Sequence, residues 1–232
     1  MSVKLIVFDI AGTTVQDTGA IAIAFQNAMS AYDYNIPIEE INPLMGYKKP
    51  QAIQMMLEKH TSQANIAKVT DSFVDEIHSR FLKEMIEYYK NTNELEPLPH
   101  AEELFQELHK RNIKVALDTG FSHDITAVIV DRLEWVKNGL VDFTVSSDEV
   151  KAGRPHPYMI QKAMEKFSIH NSKEVIKLGD TEVDINEGKN ANCLLSIAMT
   201  TGAFTRTELE PYSPDFILDD LFELLPIIEK HL

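Results

Sequence analysis

The sequence has one cysteine and no long hydrophobic run, and each shortage excludes a class of protein. The single cysteine, Cys193, excludes an intrachain disulfide and fits a reducing compartment. Because Cys193 lies in the apolar run NANCLLSIA, we interpret it as a buried structural thiol rather than a nucleophile. No stretch is long enough to span a membrane, and the run Val3–Phe8 is too short for a signal peptide. We therefore expect a cytoplasmic protein.

Positive charge is also scarce. Lysine and arginine total 22 residues against 36 aspartates and glutamates, which gives a formal net charge of −14. No diffuse positive field exists to attract a nucleic-acid backbone or an anionic membrane, so we expect neither as a partner. An anionic small-molecule substrate must therefore be bound by a few placed cations or by a metal. The 232 residues suffice for one sizeable core with a small additional domain.

Short aliphatic runs alternate with helical patterns along most of the chain. The runs lack strict polar–apolar alternation, which is typical of strands that are buried on both faces. This order predicts an α/β fold with a doubly wound, parallel, Rossmann-like sheet. The predicted strands are Lys4–Phe8, Ile113–Asp118, Phe143–Ser146, Val175–Leu178, Leu194–Ala198 and, with a weaker pattern, Phe216–Leu218. The predicted helices of this part are Ala101–Lys110, one capped by Ser122 that runs to Leu133, and one from Pro157 to near Phe167.

One region interrupts the alternation. From Thr18 to Asn91 we find helical patterns only, over Ala20–Tyr32, Pro50–Lys59 and Thr61–Tyr89. The turn-rich segment NTNELEPLP then leads back to the next strand. We therefore predict a core domain of residues 1–16 and 97–232, with an all-helical cap domain inserted at residues 17–96. A lid on two such linkers is expected to open for exchange and to close over a substrate.

Polar side chains follow the predicted strands at their carboxyl ends, where ligands of open α/β sheets bind. Singly, each aspartate can equally be a helix cap and Arg154 a surface charge. Together, the carboxylates repel each other and favour a divalent cation such as Mg²⁺, which would bridge to phosphate oxygens that also accept from Thr119 and Arg154. The strand-end residues are Asp9, Thr119, Gly120, Lys151–Arg154, Asp180 and Asp184.

The segments FDIAGTT, ALDTG, KAGRPHP and LGDTEVD resemble the four motifs of the haloacid dehalogenase superfamily of aspartate-nucleophile hydrolases, in the same order. The helical insert lies where that superfamily places its cap domain. The resemblance implies that Asp9 attacks phosphorus and forms an aspartyl-phosphate, while Thr119 and Arg154 bind the transferring group. It implies Mg²⁺ ligands at Asp9, the backbone carbonyl of Ala11, Asp180 and Asp184. The substrate-binding candidates are Gly12, Thr13, Gly120, Met45 and Lys49.

Ala11 stands where most phosphatases of this superfamily carry a second aspartate, which protonates the departing alcohol. The pattern D-x-A-G-T-T resembles the phosphonoacetaldehyde hydrolase (phosphonatase) branch, whose carbon–phosphorus cleavage releases no alcohol. The segment LMGYKKPQAIQMMLE resembles the cap of that branch and aligns Lys49 with its Schiff-base lysine. The like charge of Lys48 is expected to depress the pKa of Lys49.

Other positions depart from that branch. Ala52 replaces its acid–base histidine, Phe121 replaces an aromatic hydroxyl, and the loop VQDTGAIA lacks its cysteine and is one residue longer. His60, His123 and His156 are the candidate substitutes for the missing histidine.

Three functions therefore stay open. Lys49 forms an imine and a carbon–phosphorus bond breaks, or Lys49 only binds a phosphate ester of the phosphoglycolate or sugar-phosphate type, which is then hydrolysed. The third hypothesis is a non-catalytic phospho-acceptor module, against which the cap and Arg154 argue. Both a monomer and a homodimer fit the sequence.

Overall fold

A computed structural model describes residues 2–231. Six parallel strands form one sheet in the order β3-β2-β1-β4-β5-β6, so the chain winds outward in both directions from β1. Every residue of β1 and β4 is buried, which explains why these strands read as continuous aliphatic runs. The predicted α/β fold is confirmed, and each predicted strand end lies within one residue of the observed one. The strands are β1 (Leu5–Phe8), β2 (Lys114–Thr119), β3 (Phe143–Ser146), β4 (Val175–Gly179), β5 (Leu195–Met199) and β6 (Phe216–Leu218).

Helices cover both faces of the sheet and make up the insert after β1. Short 3₁₀ segments lie at Asn42–Leu44, Gln63–Lys68, Ser147–Glu149, Ser172–Glu174, Glu210–Tyr212, Leu221–Glu223 and Glu229–His231. The helices are α1 (Ala20–Ser30), α2 (Ile38–Ile41), α3 (Lys49–His60), α4 (Asp71–Asn91), α5 (Ala101–Lys110), α6 (His123–Arg132), α7 (Tyr158–Lys166), α8 (Glu182–Asn190), α9 (Arg206–Leu209) and α10 (Leu224–Ile228).

The predicted helix over Thr61–Tyr89 was wrong at its start. The chain first forms the 3₁₀ segment Gln63–Lys68, and α4 begins only at Asp71. Thr70 adopts an extended backbone, and its hydroxyl accepts a hydrogen bond from the Phe73 amide at 3.2 Å. This N-cap satisfies a free amide of the first turn and fixes where the helix begins.

The inserted helices leave and rejoin the core at one place. Val15 forms isolated β-bridges with Ala11 and with Pro97, and the Gln16 amide donates to the Glu96 carbonyl at 3.0 Å. Within the described chain, the regular elements between residues 17 and 96 are all helical. The division into a 17–96 cap and a 1–16 and 97–232 core stays a prediction.

The inserted helices have an apolar interior of their own. Phe25 of α1 stacks on Phe81 of α4 with ring centroids 4.4 Å apart, and both rings are buried. Among residues 2–231, no helix combines the length and the apolar character that crossing a bilayer requires.

Candidate active site

The parallel register brings the predicted strand-end residues together. Phe8 is paired with Leu117 on one side and with Leu178 on the other, so the chain segments that follow all three strands emerge side by side. Asp9 and Asp180 begin the segments after β1 and β4, Thr119 is the last residue of β2, and all three are 2–4% exposed. The central position of β1 therefore places the candidate nucleophile between the other two groups.

Three carboxylates converge at this edge. Asp9, Asp180 and Asp184 present oxygens that lie within 4.8 Å of one another, and all three side chains are buried. Burial raises the pKa of Asp180 well above its ordinary value, and the negative charges of Asp9 and Asp184 raise it further. Because carboxylate oxygens are the ligands that hard cations prefer, this donor set fits a divalent metal.

The turn after β1 orients one of these carboxylates. The Thr13 hydroxyl donates to Asp180 Oδ1 at 3.1 Å, and the Ala203 amide donates to Oδ2 at 2.7 Å. Gly12 has a φ of +82°, and a Cβ there would lie 2.7 Å from Asp180 Oδ2. Gly12 and Thr13 were expected to bind substrate; in this structure they make room for Asp180 and hold it. Ala11 is half-buried and packs against the apolar core.

Thr119 is the last residue of β2 and is buried. Its hydroxyl oxygen accepts a hydrogen bond from the Phe121 amide at 3.1 Å, which leaves the hydroxyl proton available as a donor. Because Thr119 ends β2, the strand beside β1, its hydroxyl is at the same edge of the sheet as Asp9.

Lys49 is the first residue of α3 and is only 4% exposed. Its Nζ lies 5.0 Å from the ring centroid of Phe121 and 5.6 Å from that of Phe25, which are distances of cation–π contact. Burial lowers the pKa of Lys49 to about 8, against the opposing charge of Asp9. The neighbouring Lys48 was expected to cause this shift, but the cation that contributes is Arg154.

The segment before Lys49 lies directly on the core. A Cβ at Gly120 would lie 2.5 Å from the Tyr47 carbonyl oxygen and 2.6 Å from that of Gly46. Gly120 was expected to bind substrate, whereas its lack of a side chain here permits the inserted segment to approach the end of β2. Met45 is buried and lines a cleft of about 310 Å³ together with Asp17 and Gly202.

Arg154 is buried and contacts the candidate nucleophile, Asp9. Its Nη2 donates to Asp9 Oδ1 at 2.8 Å and to both the carbonyl and the side chain of Asp118. Its Nη1 is 3.0 Å from Asp184 Oδ1, and its Nε donates to Glu187 Oε2 at 3.3 Å. The sequence predicted a cation that donates to the transferring group; in this structure the guanidinium donates to carboxylates.

A second buried cation, Lys177, joins the same carboxylates. Its Nζ donates to Asp118 and lies 3.0 Å from Asp184 Oδ1. Burial alone would raise the pKa of Asp118, but the charges of Arg154 and Lys177 hold that pKa below its ordinary value. Burial and the charge of Asp118 raise the pKa of Glu187 well above its usual range. We call these four residues, Asp118, Arg154, Lys177 and Glu187, the ion network.

Sequence reasoning missed three members of the ion network. Asp118 was assigned only to the end of the predicted strand Ile113–Asp118 and to the segment ALDTG, and Lys177 only to the predicted strand Val175–Leu178. One signal in the sequence could have indicated this network. A lysine inside an aliphatic strand that is buried on both faces requires a buried partner for its charge.

The three candidate histidines lie elsewhere. His60 pairs with Glu40 at 3.0 Å, His123 is exposed near Glu149, and His156 stacks on Tyr158. His78 of α4 was not considered from the sequence. It is half-buried, and burial lowers its pKa against the opposing charges of Asp75 and Asp148, with smaller contributions from Lys49 and Lys48. His78 is therefore a histidine of the insert within electrostatic reach of Lys49.

Residues 6–198 match the family model described as haloacid dehalogenase-like hydrolase. The chain belongs to this family. It is thus a hydrolase, which sets aside the hypothesis of a non-catalytic phospho-acceptor module.

Relatives of this hydrolase include two named for phosphonate cleavage. It is 31% identical over 223 residues to a bifunctional phosphonoacetaldehyde hydrolase/aminoethylphosphonate transaminase of Clostridioides difficile (strain 630), covering 90% of this chain and 34% of that protein. It therefore spans about a third of that relative. It is 28% identical over 228 residues to a phosphonoacetaldehyde hydrolase of Bacillus mycoides (strain KBAB4), covering 92% and 83% of the two chains. The predicted resemblance to the phosphonatase branch is confirmed.

Solved structures show the same fold. A phosphonoacetaldehyde hydrolase like protein from Oleispira antarctica superposes with a TM-score of 0.85 at 19% identity, covering 99% of this hydrolase and 92% of that chain. A hydrolase from Pseudomonas syringae superposes with a TM-score of 0.84 at 20% identity, covering 98% of each chain.

Proposed function

We propose that this hydrolase is a Mg²⁺-dependent enzyme that cleaves the carbon–phosphorus bond of a small aldehyde phosphonate. In this proposal Asp9 attacks phosphorus and Lys49 forms an imine with the aldehyde. The observation that carries it is Lys49: a buried amine with a pKa of about 8, in an insert that lies on the Asp9 edge. The names of the two phosphonoacetaldehyde hydrolase relatives support the same substrate class.

The imine accepts the electron pair of the carbon–phosphorus bond, so carbon can act as the leaving group. Neutral Lys49 adds to the aldehyde carbon, water leaves, and the imine takes up a proton from solvent to become a protonated imine. When Asp9 attacks phosphorus, the electron pair of the carbon–phosphorus bond moves into this imine and forms an enamine. Water then hydrolyses the aspartyl-phosphate, and protonation and hydrolysis of the enamine release the dephosphorylated aldehyde and restore Lys49. No alcohol departs at any step, so Ala11 removes no proton donor that the leaving group of this reaction needs.

The protein groups have separate tasks in this reaction. The Thr119 hydroxyl donates to the transferring group, and Arg154 holds Oδ1 of Asp9. Asp9, Asp180 and Asp184, with the Ala11 carbonyl, would hold the Mg²⁺ ion. When bound, this ion neutralises charge on the phosphoryl oxygens.

Mg²⁺ is expected to stabilise the folded chain. The ion relieves repulsion among three buried carboxylates and binds only the folded site, so at about 100 times its Kd it raises the free energy of unfolding by about 2.7 kcal/mol. Urea denaturation with and without Mg²⁺ measures the difference. Asp180→Asn should abolish it, whereas Asp142→Asn, at a carboxylate paired with Lys114, should preserve it. An EDTA-treated chain with full activity and no response to Mg²⁺ would contradict the metal proposal.

Borohydride trapping tests the imine. Reduction in the presence of phosphonoacetaldehyde should leave a stable adduct on Lys49, identified by peptide mass. Because only the neutral amine attacks, the rate of trapping should rise with pH and reach half its maximum near the pKa of about 8, against 10.5 for an ordinary lysine. Phosphate release from phosphate esters without any Lys49 adduct would instead favour the phosphatase in which Lys49 only binds substrate.

A further inference from the structure

Tyr89 of α4 is a buried tyrosine whose hydroxyl forms no hydrogen bond with any residue of the described chain. Tyr89 is only 5% exposed, whereas the hydroxyl of the preceding Tyr88 pairs with Thr18 Oγ1 at 2.7 Å. The sealed, unpaired side-chain atoms among residues 2–231 belong to other residues, so the Tyr89 hydroxyl keeps contact with open space. Buried phenols are normally paired. This one therefore has a donor available to a ligand that enters that space.

The ring of Tyr89 lies beside the aromatic contact of Lys49. It meets the Phe121 ring edge-on, with centroids 5.9 Å apart, and Lys49 Nζ lies 5.0 Å from the same Phe121 centroid. Burial raises the pKa of Tyr89 above its ordinary value, and the negative charges of Asp17 and Asp9 raise it further. The phenol therefore stays protonated at neutral pH and remains a hydrogen-bond donor within electrostatic reach of the nucleophile.

Contacts with the core fix the position of Tyr89. Arg132 Nη1 of α6 donates to the carbonyl oxygen of Tyr89 at 2.7 Å and to that of Thr92 at 2.8 Å. Beside them, the Tyr88–Thr18 hydrogen bond joins the end of α4 to the segment through which the chain leaves the core. The phenol is therefore placed by the fold before a substrate binds, and such a preorganised donor needs no rearrangement to act.

We propose that Tyr89 is a further catalytic residue, whose phenol donates a hydrogen bond to the carbonyl oxygen of the aldehyde at Lys49. This rests on the proposed function, since it assigns a donor to the aldehyde that Lys49 attacks. The metal and Thr119 then serve the phosphoryl end of the substrate, and Tyr89 serves the aldehyde end. A phosphonate without a carbonyl group has no acceptor for this donor, so Tyr89 also selects for the aldehyde.

Imine formation creates the need for such a donor. The nitrogen of Lys49 forms a bond to the carbonyl carbon, and the π electron pair of the carbonyl group moves onto its oxygen. A donor held at that oxygen stabilises the charge until the oxygen takes up the proton that the nitrogen releases. One proton from solvent then completes the loss of water and leaves the protonated imine. Tyr89 loses no proton in this sequence, in keeping with its raised pKa.

The rate at which Lys49 is trapped tests the role of Tyr89. The native chain and Tyr89→Phe, each with Mg²⁺, are incubated with phosphonoacetaldehyde and excess cyanoborohydride, and the Lys49 adduct is quantified by peptide mass. Tyr89→Phe is expected to lower the initial rate of adduct formation at least about tenfold, because a donor to a developing oxyanion is lost. The inhibition constant of ethylphosphonate, which has no carbonyl group, should stay unchanged.

Tyr88→Phe is the matched control, since it removes the neighbouring phenol, whose hydroxyl already pairs with Thr18. Its rate of adduct formation should equal that of the native chain. The thermal midpoint of Tyr89→Phe should also equal the native one, because the free protein loses no hydrogen bond. A purely structural role of the phenol would instead lower that midpoint and weaken the binding of ethylphosphonate.

Equal trapping rates in the native chain and in Tyr89→Phe overturn the assignment of Tyr89 and leave the proposed function standing. An equal loss in Tyr88→Phe, or a parallel loss of ethylphosphonate affinity in Tyr89→Phe, overturns it as well. A native chain that forms no Lys49 adduct contradicts the proposed function itself, and the assignment of Tyr89 with it.

Discussion

Asp9→Asn is expected to reduce turnover at least about a thousandfold, because an amide oxygen cannot replace a carboxylate as the nucleophile. Asparagine has the same shape, so the hydrogen bonds around the turn after β1 remain. Thr14 binds the Asp9 carbonyl oxygen at 2.9 Å and not the carboxylate. Steady-state release of phosphate from phosphonoacetaldehyde measures the loss.

Asp33→Asn is the matched control for this prediction. Asp33 is exposed in the insert and adopts a left-handed backbone with a φ of 67°, which asparagine also tolerates. The same chemical change there should leave both activity and stability unaltered. If Asp9→Asn retains the activity of the native chain, the nucleophile is a different residue.

Lys49→Arg is expected to be nearly as inactive as Lys49→Met, with both losing about a thousandfold or more. Arginine retains the positive charge near Asp9, but its guanidinium stays protonated and forms no imine with the substrate. If Lys49 served only as a cation, arginine would restore much of the activity that methionine loses. The comparison of kcat/KM for the two variants therefore separates imine chemistry from anion binding.

Lys48→Arg provides the reference for that comparison. Lys48 precedes α3 as its N-cap and carries the same charge one residue away. Its side chain does not share the buried setting of Lys49, because Lys48 is half-buried. We expect Lys48→Arg to retain most of the activity. A loss in Lys48→Arg equal to that in Lys49→Arg would show that bulk at this segment, and not imine formation, limits the rate.

The sheet and the positions of its polar residues could be predicted from the sequence. Buried parallel strands read as short aliphatic runs, and their carboxyl ends share one edge. Asp9, Thr119 and Asp180 follow from these two rules without any side-chain detail. The start of α4 could not be predicted in the same way, because Thr61 and Thr70 can both cap a helix and the sequence alone does not distinguish them.

The contacts that surround each site residue could not be predicted as well from the sequence. We expected the charge of Lys48 to lower the pKa of Lys49, whereas burial of the Lys49 side chain is the main cause. The partners of Arg154 are 30 to 145 residues away in the chain, so no local pattern indicates them. The glycine at position 120 is explained by the carbonyl groups of Gly46 and Tyr47 in the insert, which lie where a side chain would be.

The residues that surround the nucleophile lie far from it in the sequence. Arg154 lies 145 residues beyond Asp9, and the Thr13–Asp180 contact spans 167 residues. A ribosome therefore completes the first strand and its aspartate long before it reaches the groups that surround it. A chain that stops before Asp180 would keep Asp9 but would lack two of the three clustered carboxylates. Catalytic competence is thus one of the last properties that synthesis of this molecule confers.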